Sequence, residues 1–236
     1  MSSLSKDELI SVRHLMSEKQ RIWQAEESFH YENGYYLTSH PSRISKLLAH
    51  YELYREITHL PGDVFEFGVF KGTSMARWLT FRHLLEADHS RTIFGFDTFE
   101  TFPKQDSEED QQFVEAFTQG AGEPLSQDTL NHYFQQKGFE NYRFVAGDIT
   151  ITLPQFLEEH PHKRAAMIHI DVDVYEPSRV ILDKMYKRLV PGALIVLDDY
   201  GTVAGETKAV DAFIKEHGLQ VEKLPLNYIP AFIRKP

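Results

Sequence analysis

Two short apolar runs in this chain each end in a pair of aspartates. Met167-Ile168-His169-Ile170 leads into Asp171-Val172-Asp173, and Ala193-Leu194-Ile195-Val196-Leu197 leads into Asp198-Asp199. Short runs rich in Ile and Val that follow turn signals predict buried parallel strands. Ligands of open α/β sheets sit outside the carboxyl ends of the strands. This reading therefore brings four carboxylates to one sheet edge. Carboxylates that close repel one another unless a cation or a proton lies among them. An all-oxygen set suits a hard divalent cation such as Mg²⁺.

A second constellation lies upstream. Glu66-Phe-Gly68-Val-Phe-Lys-Gly72 stands between a predicted strand and a predicted helix, where glycines let a ligand approach the backbone. The spacing is neither the dinucleotide fingerprint nor a phosphate loop, because no Gly-Lys-Ser/Thr follows. Glu66 would repel a pyrophosphate but can accept from an ammonium or a hydroxyl. Asp97, ending the next strand, is placed for the two hydroxyls of a ribose, and Asp148 ends the strand after that. Together these suit a nucleoside with a cationic amino-acid end, S-adenosylmethionine. The plainer alternative makes Gly68 and Gly72 ordinary turn glycines and the acids helix caps.

The elements that must position these residues alternate. Predicted strands at 64–67, 92–96, 142–146, 167–170 and 193–197 are separated by helices at 73–85, 130–136, 150–159 and from Pro177. That last helix has Val180, Ile181, Met185 and Leu189 facing inward. Pro41 fits the first turn of an earlier helix carrying Ile44, Leu47, Leu48, Tyr51 and Tyr54 at helical spacing. Another helix is marked by Val210, Phe213 and Ile214, and segments 219–224 and 228–233 form a terminal antiparallel pair. Such alternation predicts a mostly parallel sheet. Five parallel strands plus a terminal hairpin make the seven-stranded, Rossmann-like α/β pattern of class I methyltransferases. Residues 1–40, with aromatics at Phe29, Tyr31, Tyr35 and Tyr36, read as a helical extension or cap before one domain over 41–236. The polar stretch 98–127, following the second strand, reads as a lid, with Glu108-Glu109-Asp110 as its solvated surface.

Composition narrows the partners. The chain has 236 residues and no cysteine, which excludes disulfides and thiolate metal sites. Thirty-five acids against twenty-five bases give a net charge of −10, which argues against a broad nucleic-acid surface. No stretch approaches the roughly 20 apolar residues of a membrane span, and the first residues lack the layout of a signal peptide. A soluble cytoplasmic protein is the expectation. Twelve histidines show no zinc spacing, and His169 reads as a satisfied core residue. Tyr175 and Tyr200, after the acidic clusters, fit either an acceptor pocket or structural packing.

Four segments carry a resemblance. Val64-Phe-Glu-Phe-Gly-Val-Phe-Lys-Gly72, Phe94-Gly-Phe-Asp97-Thr-Phe, His169-Ile-Asp-Val-Asp-Val-Tyr-Glu-Pro177 and Pro191-Gly-Ala-Leu-Ile-Val-Leu-Asp-Asp-Tyr-Gly201 resemble the macrocin O-methyltransferase (TylF-like) family over roughly residues 35–233. The resemblance implies a Mg²⁺-dependent enzyme that methylates sugar hydroxyls of natural products. It implies metal ligands at Asp171, Asp198 and Asp199 and a general base at Asp173. It places Glu66, Gly68, Asp97, Asp148 and Ile149 around S-adenosylmethionine, with Thr38, Ser39, Gly72 and Ser74 as further contacts. It also implies a homodimer or higher homo-oligomer and a small hydroxyl acceptor, a sugar or glycoside. Thr101 departs from the glycine the family often has after Phe-Glu, and the lid sequence has no counterpart. Both departures bear on the acceptor, for which a catechol-like or other vicinal diol is the alternative. A non-catalytic cofactor-binding protein is the rival from outside enzymology.

Overall fold

The computed structural model describes residues 23–105 and 107–236. The expected extension over residues 1–22 therefore lies outside the described residues. Strands β1 (Asp63–Phe67), β2 (Ile93–Asp97), β3 (Tyr142–Ala146), β4 (Ala165–Ile170) and β5 (Leu189–Leu197) are followed by β6 (Glu222–Lys223) and β7 (Ala231–Arg234). They form one sheet in the order β3-β2-β1-β4-β5-β7-β6. The first five are mutually parallel, and β7 runs antiparallel between β5 and β6. This is the class I methyltransferase sheet the alternation predicts.

The helices are α1 (Ser28–Thr38), α2 (Pro41–Ile57), α3 (Thr73–Leu85), α4 (Glu108–Ala121), α5 (Gln127–Gln136), α6 (Ile149–Glu159), α7 (Tyr175–Met185) and α8 (Ala204–His217). Because strand side chains alternate between faces, each central strand feeds two cores. Phe65, Phe67, Phe94, Phe96, Ile168, Ile170, Ile195 and Leu197 pack under α6, α7 and α8. Val64, Ile93, Met167, Leu194 and Val196 pack under α2, α3 and α5, where Trp78 and Tyr54 are fully buried. The same alternation puts Glu66 and His169 on the second face, among apolar neighbours.

Three expectations change. The segment 98–127 is not structureless, since α4 occupies half of it. Ser107 accepts a hydrogen bond from the Asp110 N–H at 3.0 Å, and three acids fill the first turn, where the helix dipole favours them. Leu189 is buried as expected, but as the first residue of β5 rather than the end of a helix. Pro191 is tolerated within β5 because the β4–β5 register slips between Ala165 and Met167, a bulge that needs no N–H there. Leu48 faces solvent instead of the core.

Candidate active site

The acids converge at the carboxyl ends of β4 and β5. The Asp171 N–H donates to the Phe67 carbonyl at 2.9 Å and the Asp198 N–H to the Ile170 carbonyl at 3.0 Å, so both continue the ladder just past their strands. Asp171, Asp198 and Asp199 each present an oxygen within 4.8 Å of the others. Burial, then the Asp198 and Asp199 charges, push the Asp171 carboxyl well above its ordinary range. Burial would do the same to Asp198, but the Lys46 ammonium, the hydrogen bond from His169 and the nearby His50 ring outweigh it and hold this acid low. Lys46, on α2, is ion-paired with Asp198 Oδ2. Its own pKa is raised, because the charges of Asp198 and Asp171 outweigh the lowering effect of its burial.

His169 proves to be more than a core residue. Its Nε2 lies 3.3 Å from Asp198 Oδ1, and His50 Nε2 lies 3.7 Å from the same oxygen. Burial pushes His50 down to about 3, so it is a neutral ring at pH 7, stacked on Trp78 at 4.5 Å. Asp198 is thus oriented from two sides, by histidines on Oδ1 and by Lys46 on Oδ2. Sequence spacing could not find Lys46 or His50, because α2 meets β5 only in the folded chain.

Asp173 sits outside that triad, in a left-handed turn with φ +65°, a conformation that costs energy in any residue but glycine. Its carbonyl accepts from the Glu206 N–H at 3.0 Å. Glu206, at the start of α8, is fully buried, and its Oε1 accepts from the Asp199 N–H at 3.2 Å. Burial and the Asp199 charge push its pKa well up. This residue ties the two acidic turns together, and no sequence motif flags it.

The glycine turn lies against the same edge. Gly68 has φ +92°, and a Cβ there would fall 1.8 Å from the Asp171 carbonyl oxygen. Gly72 has φ +72° and lies under Leu130 of α5. The Ser74 hydroxyl donates to Glu66 Oε1 at 2.5 Å. Glu66 Oε2 is buried with no hydrogen-bond partner among the described residues, and burial pushes this acid up to about 7. Asp97 is already engaged: Oδ2 accepts from the Val69 and Phe70 N–H groups at 2.7 and 2.8 Å, and Oδ1 from Phe99 N–H at 2.7 Å. The Thr98 hydroxyl adds a longer bond of 3.3 Å to Oδ1. A carboxylate accepts about four such bonds, so a ribose diol would replace the Thr98 hydroxyl or share the others. Asp97 thereby also shapes the glycine turn.

Asp148 caps α6 by accepting from the Thr150 N–H at 2.8 Å, with Ile149 buried beside it. Thr38 ends α1 and is exposed, its hydroxyl donating to the Gly34 carbonyl at 2.6 Å, and Ser39 follows it half-buried. Tyr200 donates to Asp211 on α8 at 2.9 Å, which favours the packing reading for that ring. A groove is lined by Phe99, Glu100, Thr101, Glu123, Pro124 and Ser126, none of them a predicted site residue. Another, between α6 and the end of α7, contains none of these residues.

The lid helix brings aromatic rings to this edge. Phe117 lies 5.4 Å from Phe70 of the glycine turn and 5.6 Å from Phe102. Asp110, expected as lid surface, is buried instead. Its Oδ2 accepts from the Tyr175 N–H at 3.2 Å.

The chain matches the family model of the macrocin O-methyltransferases (TylF) over residues 24–235. It is 29% identical over 176 residues to mycinamicin III 3''-O-methyltransferase of Micromonospora griseorubida, covering 71% of this chain and 66% of that one. It is 30% identical over 149 residues to an 8-demethyl-8-(2,3-dimethoxy-alpha-L-rhamnosyl)-tetracenomycin-C 4'-O-methyltransferase of Streptomyces olivaceus, covering 60% and 54%. Both matches span less than two thirds of the relative's own length. Among solved structures, the calicheamicin methyltransferase CalS11 shares the fold, with a TM-score of 0.70, 22% identity and coverage of 99% of this chain and 94% of that one.

Proposed function

This chain belongs to the macrocin O-methyltransferase family, and from that premise we propose that it transfers the methyl group of S-adenosylmethionine to a hydroxyl of a sugar or glycosylated small molecule with the help of Mg²⁺. The observation that carries the reading is the meeting of three carboxylates within 4.8 Å, beside a glycine turn whose backbone abuts Asp171. The relatives' names, all sugar or natural-product O-methyltransferases, support the acceptor class.

The donor set fits the proposed ligands. Three oxygen donors with no sulfur suit Mg²⁺, and the unpartnered Oε2 of Glu66 together with the glycine turn suits a cationic nucleoside. Asp171, Asp198 and Asp199 would hold the cation, which when bound lowers the pKa of a coordinated hydroxyl. Asp198 enters that role already oriented by His169, His50 and Lys46. Asp173, two residues past Asp171, accepts the acceptor's proton. Glu66, Gly68, Gly72, Ser74, Asp97, Asp148, Ile149, Thr38 and Ser39 bind the methyl donor, which brings its own activated methyl. The protein contributes orientation and exclusion of water.

A catechol-like acceptor remains the second reading, supported by the Phe70, Phe102 and Phe117 cluster at the lid. We also propose that the chain works as a homodimer or higher homo-oligomer in the cytoplasm, a state that light scattering checks. The deciding experiment is transfer of labelled methyl from S-adenosylmethionine to a panel of nucleotide sugars, glycosides and catechols, with and without EDTA. Loss of transfer on chelation, its return with Mg²⁺ and its loss in Asp198→Ala are the expected results. Full transfer after complete chelation would overturn the metal part, and transfer to catechols alone would overturn the sugar part.

A further inference from the structure

Two helices that meet the acidic edge lack caps of their own. α7 begins after Val174 and α8 after Val203, and neither residue offers a side-chain cap. The first N–H groups of a helix need partners. The partner of the Tyr175 N–H is Asp110, a residue of the lid helix 65 positions away. Its other oxygen, Oδ1, lies over Gly205 in the first turn of α8, so close that a Cβ on Gly205 would fall 2.4 Å from it. The same Cβ would lie 2.8 Å from the Asp173 carbonyl oxygen and 2.8 Å from the Tyr175 nitrogen. One buried carboxylate therefore stands at two helix N-termini, where the dipoles favour negative charge, and the missing side chain of Gly205 makes the room.

Between those helix starts runs the turn 172–175. It holds Asp173 in its left-handed conformation, and the Val174 carbonyl accepts from the Ser178 hydroxyl at 2.7 Å. The Val174 N–H donates to the Val172 carbonyl at 2.6 Å, the Asp173 carbonyl accepts from Glu206 N–H, and the Tyr175 N–H is held by Asp110. Two of these three restraints come from outside the turn, and one comes from the lid.

We propose that Asp110 is a positioning residue for methyl transfer: it latches the lid helix to the turn that carries Asp173 and so fixes the direction of the Asp173 carboxylate only when the lid is seated. The inference rests on the reading of Asp173 as the proton acceptor. The Asp110 carboxylate accepts from the Tyr175 backbone amide, so Asn can replace it as acceptor while Ala cannot.

The test compares Asp110→Ala with Asp110→Asn by steady-state kinetics and by hydrogen exchange at the Tyr175 amide. In D110A, kcat falls about tenfold or more, as expected when a reacting group loses its orientation, while the KM for S-adenosylmethionine stays within about twofold. D110N recovers most of kcat. Exchange at Tyr175 accelerates in D110A and not in D110N. Unchanged kcat in D110A, an equal fall in D110A and D110N, or a donor KM that rises as far as kcat falls would each overturn the positioning role. Asp173→Asn separates the two layers. If it keeps full activity, the proton-acceptor reading fails. The exchange result then decides the latch by itself, which unchanged Tyr175 exchange in D110A overturns.

Discussion

A Cβ at position 68 would lie 1.8 Å from the Asp171 carbonyl oxygen, at a φ of +92° that side chains rarely adopt. Gly68→Ala should therefore cost about 3 kcal/mol or more, since the obstacle is backbone that cannot rotate away, and urea unfolding would measure it. Glu66 makes a pH-dependent prediction. Burial raises its pKa from 4.5 to about 7. An acid raised on folding stabilises the native state below its unfolded pKa, and that advantage is lost as pH rises through the folded pKa. Glu66→Gln should match the wild-type protein near pH 4 and exceed it at pH 8 by on the order of 3 kcal/mol. A stability difference flat across that range would refute the assignment. The acids themselves were legible in the sequence, because an aspartate closing an apolar run needs a reason. Lys46, His50 and Glu206 were not, because nothing local to them differs from an ordinary helix face.

At the scale of elements, the lid shows what composition conceals. Residues 98–127 read as polar and loop-like, yet Ser107 caps a helix that seats Phe117 on Phe70. Ser107→Ala should remove about 1 kcal/mol from α4, seen as faster amide exchange in α4 with little change in α3. Asp110 belongs to a run of three acids that a sequence reader assigns to solvent. Helix geometry turns the third inward and leaves Glu108 and Glu109 outside. The strands were readable to within a residue or two, because burial on both faces forces continuous apolar runs. The exceptions are β5, where a bulge admits Pro191, and the terminal pair β6 and β7, which both read longer in the sequence. In each case pairing with a neighbour decided the boundary.

Across the whole molecule the two ends of the sheet carry opposite chemistry. At the amino ends, Arg91 donates to the Gly62, Ile57 and Leu60 carbonyls and pairs with the buried Glu86 at 2.7 Å. Arg82, fully buried, donates to the Arg91 and Asn141 carbonyls. These cations join the loops that lead into β1, β2 and β3. Arg91→Met would strip the Glu86 carboxylate of its ion-pair partner and leave it only the Tyr54 and Ser90 hydroxyls among the described residues, and a loss of about 3 kcal/mol is expected. S-adenosylmethionine affinity of the folded fraction should stay unchanged, as calorimetry would show. The carboxyl ends carry the acids. No helix among the described residues is long and apolar enough to cross a membrane. The order of strands and helices, the family and the acids at strand ends were determined by sequence alone, because hydrophobic period and turn residues are local properties of the chain. Which acids share a cation-sized space, which of them Lys46 and the histidines orient, and how Asp110 reaches Tyr175 were decided by the tertiary structure. Those relations reach from 27 positions, between Asp171 and Asp198, to 152, between Lys46 and Asp198, and only packing of one element on another sets such distances.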